Sequence, residues 1–257
     1  MKILMIGDIY GSKGRELVSK YLQSFKSDNS IDLVIANGEN VTHGKSISKK
    51  HFEGLLKDGV DVVTSGNHIF KLPEVLSYIE SSPKLLKPLN INPFTPGHGT
   101  ILLKIKDKTV RVTNLIGRSF MEPAENPYFA FDNLLKNHPQ ANIHLVDFHA
   151  EASAEKMAFA WNYDGVITAL VGTHTHVQTA DEQILPKGTG YITDLGMTGP
   201  ANSIIGVEPE NVIYKEKTGL PTKFHPAGGP GQFCGVIITI NEVTDKVETL
   251  NRVFVKE

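Results

Sequence analysis

Short apolar runs alternate with segments of helical period along the first third of the chain. The predicted strands are residues 2–6, 33–36 and 60–63, and the predicted helices cover 17–25, 52–56 and 72–79. Ser48 is placed to cap the second helix. Each strand is thus followed by a helix, and three such units predict a sheet of parallel strands joined by helical crossovers.

The remainder of the chain predicts a mixed α/β arrangement. Prolines and asparagines interrupt any regular element between about Pro83 and Gly99. The pattern then predicts a hairpin of 100–106 and 109–115 turning at Asp107-Lys108, strands at 142–148, 165–171, 236–240 and 247–255, and helices at 128–137 and 152–162. The segment 200–231 is rich in Gly and Pro, which favours a long surface loop or lid with some local structure.

Composition narrows the class of protein. The 257 residues are 40% apolar and 21% charged, which suits a single domain spanning 1–257. A formal charge of −2 gives no bulk attraction to nucleic acid or to an anionic membrane, so neither a stable nucleic-acid complex nor membrane association is expected. A lone cysteine, with no signal segment and no apolar run of 18 residues, predicts a soluble cytoplasmic protein. The sequence leaves open whether the protein forms a homo-oligomer.

Residues that can bind metal ions end four of the apolar runs. The segments are Gly7-Asp8, Gly38-Glu39-Asn40, Gly66-Asn67-His68 and Gly172-Thr173-His174-Thr175-His176. An apolar run followed by Gly predicts a buried strand that ends in a tight turn, where catalytic side chains of α/β folds collect. The recurrence therefore predicts a two-metal hydrolase.

Each segment also has an ordinary structural interpretation. A strand-like period would send His174 and His176 to one side, but two histidines in a turn could simply lie at the surface. Asn67 could cap a helix, leaving His68 exposed. Glu39 could bridge two cations or be a loop carboxylate, and Asp8 has the same two interpretations.

His149 is a further candidate from a different strand. With strand alternation it shares a face with Asp147, whereas His144 lies on the other face. It could therefore reach the site, or it could be a core histidine hydrogen-bonded to Asp147. Among the other histidines, His43 and His225 are candidate substrate contacts.

These residues together resemble the five ordered motifs of calcineurin-like metallophosphoesterases, usually DxH, GDxxD, GNH, H and GHxH. The first motif here is Asp8-Ile9-Tyr10 and lacks the His, the second has Glu39 where Asp is usual, and Gly172-Thr173 precedes the paired His. Those departures resemble the bacterial YmdB-type phosphodiesterases, in which Gly-Glu-Asn is the second motif. The segments 1–41, 193–200 and 228–233 resemble that group as well.

The resemblance implies a sandwich of mixed β-sheets flanked by helices and a pair of metal ions. It implies that one metal is held by Asp8, Glu39, Asn40 and His176, and the other by Glu39, Asn67, His149 and His174. It also implies iron or manganese, although the ligands suit zinc too.

The same resemblance implies a reaction. A hydroxide between the metals would attack phosphorus in line, and His68 would stabilise the transition state or protonate the leaving oxygen. The implied substrates are 2′,3′-cyclic nucleotides, with 3′,5′-cyclic AMP as a second candidate. Residues that could contact substrate from a lid are Tyr10, Thr42, His43, Phe120 and Phe224.

Other functions remain open from the residues alone. Gly7, Gly11 and Gly14 follow the first strand, but their spacing does not match the dinucleotide-binding fingerprint, and an oxidoreductase would leave the histidines unused. A hydrolase of another phosphodiester is a second alternative. A non-catalytic regulator that binds a metal or a nucleotide is a third.

Overall fold

The computed structural model describes residues 1–257 and contains two mixed β-sheets with helices on their outer faces. The strands are β1 (Lys2–Ile6), β2 (Asp8–Ile9), β3 (Leu33–Asn37), β4 (Val62–Thr64), β5 (Thr100–Ile105), β6 (Lys108–Ile116), β7 (Ile143–His149), β8 (Ala169–Thr173), β9 (Gln183–Ile184), β10 (Gly190–Ile192), β11 (Met197–Pro200), β12 (Gly231–Ile240) and β13 (Val247–Lys256). The helices are α1 (Gly11–Asn29), α2 (Lys49–Asp58), α3 (Pro127–Asn137), α4 (Ser153–Asn162) and α5 (Pro209–Thr218).

The first sheet has the order β2-β11-β12-β1-β3-β4, with β13 also paired to β12. Strands β1, β3 and β4 are parallel, which confirms the prediction from the first third of the chain. The second sheet has the order β5-β6-β7-β8-β10-β9, and β6, β7 and β8 are parallel. Parallel strands end at the same edge, so each sheet collects its strand ends on one side.

Alternation along β1 shows how the layers form. Ile3 and Met5 join an apolar cluster between the sheets that also contains Val112 and Leu145 of the second sheet. Leu4 and Ile6 face the other way and pack with the apolar sides of α1 and α2. A third cluster covers the outer face of the second sheet beneath α3 and α4. The expected sandwich of mixed sheets flanked by helices is confirmed.

Several local predictions were wrong. Residues 72–79 contain a 3-10 segment over Pro73–Ser77 rather than an α-helix; the apolar residues that gave the helical pattern are still buried, Val75 within the segment and Tyr78 and Ile79 just after it. The hairpin turns at Lys106-Asp107, since Ile105 pairs with Lys108. The strand expected from Gly165 begins at Ala169, because Gly165 adopts φ +82° and starts a turn.

The segment 200–231 contains α5, which buries none of its residues. On either side of α5, the buried residues Val207 and Ala227 anchor the segment to the rest of the protein. The short strands β9, β10 and β11 had no counterpart in the pattern, and β12 begins at Gly231 rather than at Val236. The lid role of this segment stays a prediction.

Candidate metal centre

Five strand ends meet at the junction of the two sheets. Asp8 begins β2 directly after β1, Glu39 and Asn40 follow β3, and Asn67 follows β4. From the second sheet, His149 ends β7, while His174 and His176 follow β8. All seven predicted metal ligands therefore come from the edge where the parallel strands end.

One set of ligand atoms surrounds the Nε2 atom of His149. This nitrogen lies 3.0 Å from Asn67 Oδ1, 3.0 Å from His174 Nδ1 and 3.3 Å from Glu39 Oε1. Ligand atoms of Glu39, His149 and His174 all lie within 4.8 Å of one another. Four groups from four strand ends thus converge on one point, in the combination predicted for the second metal.

The other predicted set lies beside it and shares Glu39. Asn40 Nδ2 lies 3.1 Å from His176 Nε2 and 3.2 Å from Glu39 Oε1, and His176 Nε2 lies 3.8 Å from Asp8 Oδ1. An amide binds a cation through its oxygen. Because Asn40 Oδ1 here faces His68, metal binding at this set requires the Asn40 amide to turn over.

The imidazole of His68 lies at the rim of the cluster. Its Nδ1 atom lies 2.8 Å from Asn40 Oδ1 and 3.3 Å from Glu39 Oε1, and its side chain is 31% exposed. The His68 backbone N–H donates to Glu39 Oε2 at 3.0 Å. The ring therefore contacts the cluster on one side and solvent on the other.

The turn that carries His174 and His176 is not strand-like, contrary to the expectation. Strand β8 ends at Thr173, and the two histidines have φ of +110° and +66°. Such angles cost of order 1–3 kcal/mol each for residues other than Gly. The His174 N–H donates to Asp8 Oδ2 at 3.2 Å, and the Thr175 N–H donates to Asp194 Oδ2 at 3.1 Å. These bonds hold the strained turn in place.

A buried hydrogen-bond network behind His149 had not been predicted. Thr173 Oγ1 donates to Asp147 Oδ1 at 2.7 Å and lies 2.9 Å from His149 Nδ1. Asn37 Nδ2 lies 3.3 Å from Asp147 Oδ2, and Asn37 Oδ1 accepts from the Glu39 N–H at 3.1 Å. His149 thus reaches the cluster, and Thr173 lies between it and Asp147. The polar residues that end β3 and β8 were the available signal.

A second feature that was not predicted is the ion pair between Lys156 and Asp194, which supports the turn that carries His174 and His176. Lys156 Nζ lies 2.9 Å from Asp194 Oδ2, and both side chains are fully buried. The same carboxylate accepts from the Gly196 N–H through Oδ1 at 2.9 Å. Since Asp194 also holds the Thr175 N–H, the pair connects helix α4 to the histidine turn.

The electrostatics of the cluster are dominated by buried carboxylates. Burial raises the pKa of Asp8 and raises the pKa of Asp147 to about 6. Burial would also raise the pKa of Glu39, but His149 and His68 hold it well below its usual range. Burial opposes a charge on His149, yet Glu39, Asp8 and Asp147 raise its pKa to about 9. These three buried carboxylates therefore favour positive charge at His149.

The residues present fit a metal centre. Asp8 Oδ1 is buried without a hydrogen-bond partner, although an isolated buried carboxylate oxygen is costly. A Cβ on Gly66 would overlap His149 Nε2 and Glu39 Oε2, so only Gly lets the ligands approach this closely. Carboxylate, amide and imidazole ligands together suit first-row divalent metals.

The candidate substrate contacts lie in different environments, some buried and some exposed. Tyr10 is buried, with its ring 5.6 Å from that of His176 in an edge-on arrangement, and the Thr42 hydroxyl already bonds His51 Nδ1 and the Ser48 N–H. Phe120 and Phe224 are exposed, as are His43 and His225. These contacts stay predictions.

Comparison with known proteins places the chain in a family. The sequence model of the family described as YmdB-like protein matches residues 4–253. A Bacillus subtilis protein named 2′,3′-cyclic-nucleotide 2′-phosphodiesterase is 42% identical over 100% of this chain and 98% of its own length. The chain belongs to the YmdB-like family. It is therefore an enzyme of the phosphodiesterase class.

Solved structures agree with this assignment. A protein from Mycoplasma pneumoniae, titled a novel phosphatase, has a TM-score of 0.95 and 38% identity, covering 100% of this chain and 93% of its own. The NAD nucleotidase of Haemophilus influenzae has a TM-score of 0.54 at 11% identity, covering 100% and 55%, and shows the fold alone. These neighbours are phosphoesterases of the calcineurin-like fold. Among the helices of the chain, none has the length and apolar character needed to cross a membrane.

Proposed function

We propose that this YmdB-like chain is a dinuclear, metal-dependent phosphodiesterase that hydrolyses 2′,3′-cyclic nucleotides. The observation that carries the proposal is the position of Glu39, whose carboxylate contacts both ligand sets. A shared carboxylate is what holds two cations about 3.5–4 Å apart in hydrolases of this kind. The activity named for the Bacillus subtilis relative supports the choice of substrate.

The proposed ligands follow the two clusters. Asp8, Asn40 and His176 would hold one ion, Asn67, His149 and His174 would hold the other, and Glu39 would bridge them. Iron or manganese suits this mixture of oxygen and nitrogen ligands, and zinc would also fit. When bound, the two ions would supply a nucleophilic water at neutral pH and offset charge on the non-bridging phosphate oxygens.

His68 is proposed to act on the leaving group. Its Nδ1 atom lies 2.8 Å from Asn40 Oδ1; when the Asn40 amide turns its oxygen toward a metal ion, its Nδ2 would donate to His68 Nδ1 instead, which places the proton of the neutral ring on Nε2, an atom with no hydrogen bond within the protein. The ring is partly exposed, so Nε2 can reach a substrate that lies over the cluster. From there it would donate a proton to the leaving oxygen or a hydrogen bond to the phosphoryl group.

The charge of the chain fits a small diester. A net charge of −2 offers no broad attraction for a polyanion, whereas a cyclic nucleotide carries one negative charge that the centre can neutralise locally. The name of the relative specifies the 2′ ester, so the expected product is the 3′-monophosphate. The compound 3′,5′-cyclic AMP is a second candidate substrate.

The test is turnover of 2′,3′-cyclic AMP by protein loaded with Fe²⁺ or Mn²⁺, with 2′-AMP and 3′-AMP separated by chromatography. We expect metal-dependent release of 3′-AMP that chelator treatment abolishes, and a large loss of turnover in His68→Ala. Binding of the cyclic nucleotide without turnover, in both the native protein and the variant, would support a regulator instead and would contradict the proposal.

A further inference from the structure

A small cavity opens beside the metal-ligand residue Asn67. Its volume is about 280 Å³, below the roughly 300–1,000 Å³ of pockets for drug-sized ligands, so it suits a single ring system. Gly66 and Asn67 are among the residues that line it. The walls are largely apolar and include Phe70, Ile91, Ile116 and Pro123. We call this cavity the Phe70 pocket.

Phe70 provides one face of the pocket. It lies on the 3-10 turn Ile69–Lys71, which begins directly after His68, so the wall and the proposed proton donor are on one short segment. The ring packs on one side against the apolar core and lines the cavity on the other. It stacks on no other aromatic side chain of the protein.

The opposite walls are held together by one buried amide. Asn90 is fully buried, and its Nδ2 donates to Ile116 O at 2.8 Å and to Glu125 O at 2.9 Å. Its Oδ1 accepts from the Ile116 N–H at 2.9 Å. Asn90 precedes Ile91, and Glu125 follows Pro123 and Ala124, so these bonds fix three wall segments relative to one another. The pocket is therefore preorganised.

The rim of the pocket carries polar groups. Lys71 and Glu122 both line the pocket; Lys71 Nζ lies 3.1 Å from Glu122 Oε1, and both side chains are exposed. Asn92 uses its Oδ1 to accept from the Phe94 N–H, which leaves the amide N–H₂ available to a ligand. An apolar interior with a few polar groups at the edge matches a planar heterocycle, whose faces are apolar and whose edges form hydrogen bonds.

A larger cavity of about 470 Å³ lies beside His176, but its features fit a substrate less well. His176 is the one proposed ligand on its wall. The Nδ1 atom of this ring bonds Ile205 O at 2.8 Å, and its Nε2 faces Asn40 and the cluster. Both ring nitrogens of His176 therefore already face groups of the protein. Two polar side chains of this cavity already have partners within the protein. Gln178 Nε2 donates to three backbone carbonyl oxygens, and Arg252 forms an ion pair with Glu182.

We propose that the Phe70 pocket binds the nucleobase of the substrate, with the base stacked on the Phe70 ring while the cyclic phosphate lies over the metal centre. This inference rests on the proposed function, because it supplies the base site for the same reaction. Stacking on an aromatic ring accepts any base. The pocket would therefore distinguish nucleotides from diesters without a base, rather than select one kind of base.

The test compares two five-membered cyclic diesters, 2′,3′-cyclic AMP and glycerol 1,2-cyclic phosphate, which has no base. The measured quantity is the ratio of their kcat/KM values. For Phe70→Ala and Phe70→Leu we expect this ratio to fall roughly 5- to 150-fold, mainly through KM for the nucleotide. Phe70→Trp should preserve the ratio. Phe254→Ala, which changes the wall of the larger cavity, is the matched control and should also preserve it.

The outcomes separate this inference from the proposed function. A native enzyme that turns over neither diester contradicts the proposed function itself. An enzyme that hydrolyses both equally well, or keeps its preference in Phe70→Ala and Phe70→Leu, has no base site at Phe70 and overturns the inference alone. Loss of the preference in Phe254→Ala would move the base site to the larger cavity. Turnover of the base-free diester shows that each variant is folded.

Discussion

The Nδ1 atom of His174 lies 3.0 Å from the Nε2 atom of His149. His149 ends strand β7, whereas His174 lies in the turn that follows strand β8. Here they meet beside the carboxylate of Glu39 and the amide oxygen of Asn67. The arrangement supports the proposal that these groups bind one cation, and the buried groups behind them would set how well the ligands are held.

Thr173→Val should weaken metal binding without disturbing the fold. The change removes a hydroxyl between His149 Nδ1 and Asp147 Oδ1 but nearly keeps the shape of the side chain. We expect metal affinity to fall about 10- to 100-fold, measured by competition with a chelator. Thr113→Val is the control, since its hydroxyl bonds the buried His144 away from the centre. Equal effects of the two changes would contradict the orienting role of Thr173.

Lys156→Met should destabilise the protein because it leaves the Asp194 carboxylate buried without its cation. Removal of one partner of such a pair costs about 3–5 kcal/mol, which denaturant unfolding would measure. Asp194→Asn added to Lys156→Met should recover part of the loss, since no unpaired charge then remains. If the two changes are simply additive in a double-mutant cycle, the ion pair does not stabilise the fold.

Gly66→Ala should abolish turnover. The new methyl group would occupy space used by His149 Nε2 and Glu39 Oε2, so the ligands must separate. Bound metal per chain, measured by elemental analysis, should fall together with kcat. Gly54→Ala in helix α2 is the matched control, because its Cβ meets nothing within 4 Å and should stabilise the helix by about 0.5–1 kcal/mol. A fully metallated Gly66→Ala protein would contradict the close packing described for the centre.

His144 should make stability depend on pH. Burial, with Arg111 nearby, lowers the pKa of His144 to about 3. The ring is therefore neutral in the native state, while the unfolded chain takes up a proton below pH about 6.5. The stabilisation is present above that pH and is lost progressively as the pH falls toward 3.

Protonation of His144 in the unfolded chain sets the size of this pH effect. Between pH 7.5 and 5.5, the native protein should lose about 1.4 kcal/mol relative to His144→Gln, measured by denaturant unfolding at each pH. His138→Gln, a change at an exposed ring, should follow the native protein. A constant difference between the native protein and His144→Gln across this range would contradict the account of the buried ring.

The convergence of the proposed ligands could be predicted from the sequence better than their local geometry. Asp8, Glu39, Asn67 and His149 could be found because each comes at the end of a buried apolar run, and parallel strands bring such ends together. The positive φ of His174 was not visible, since it depends on Asp8 and Asp194 holding the turn from a distance. Contacts between residues far apart in sequence leave no local pattern.

The absence of a local sequence pattern also explains why other features were not predicted. Thr173 reads as the last residue of an apolar strand until Asp147 and His149 of the neighbouring strand are placed beside it. Strand β11 is short and is defined by pairing with β2 and β12, which come from opposite ends of the chain. Helix α5 buries no residues, so its sequence shows no apolar face to predict it.

The central claim is a pair of metal ions bridged by Glu39, and its most direct measurement combines metal content with turnover in Glu39→Gln. Glu53→Gln, at an exposed site on helix α2, is the control. We predict two metal ions per active native chain, at most one in Glu39→Gln, and a loss of at least about 100-fold in kcat for 2′,3′-cyclic AMP. Full activity with one metal ion per chain, or full activity in Glu39→Gln, would contradict the bridged pair.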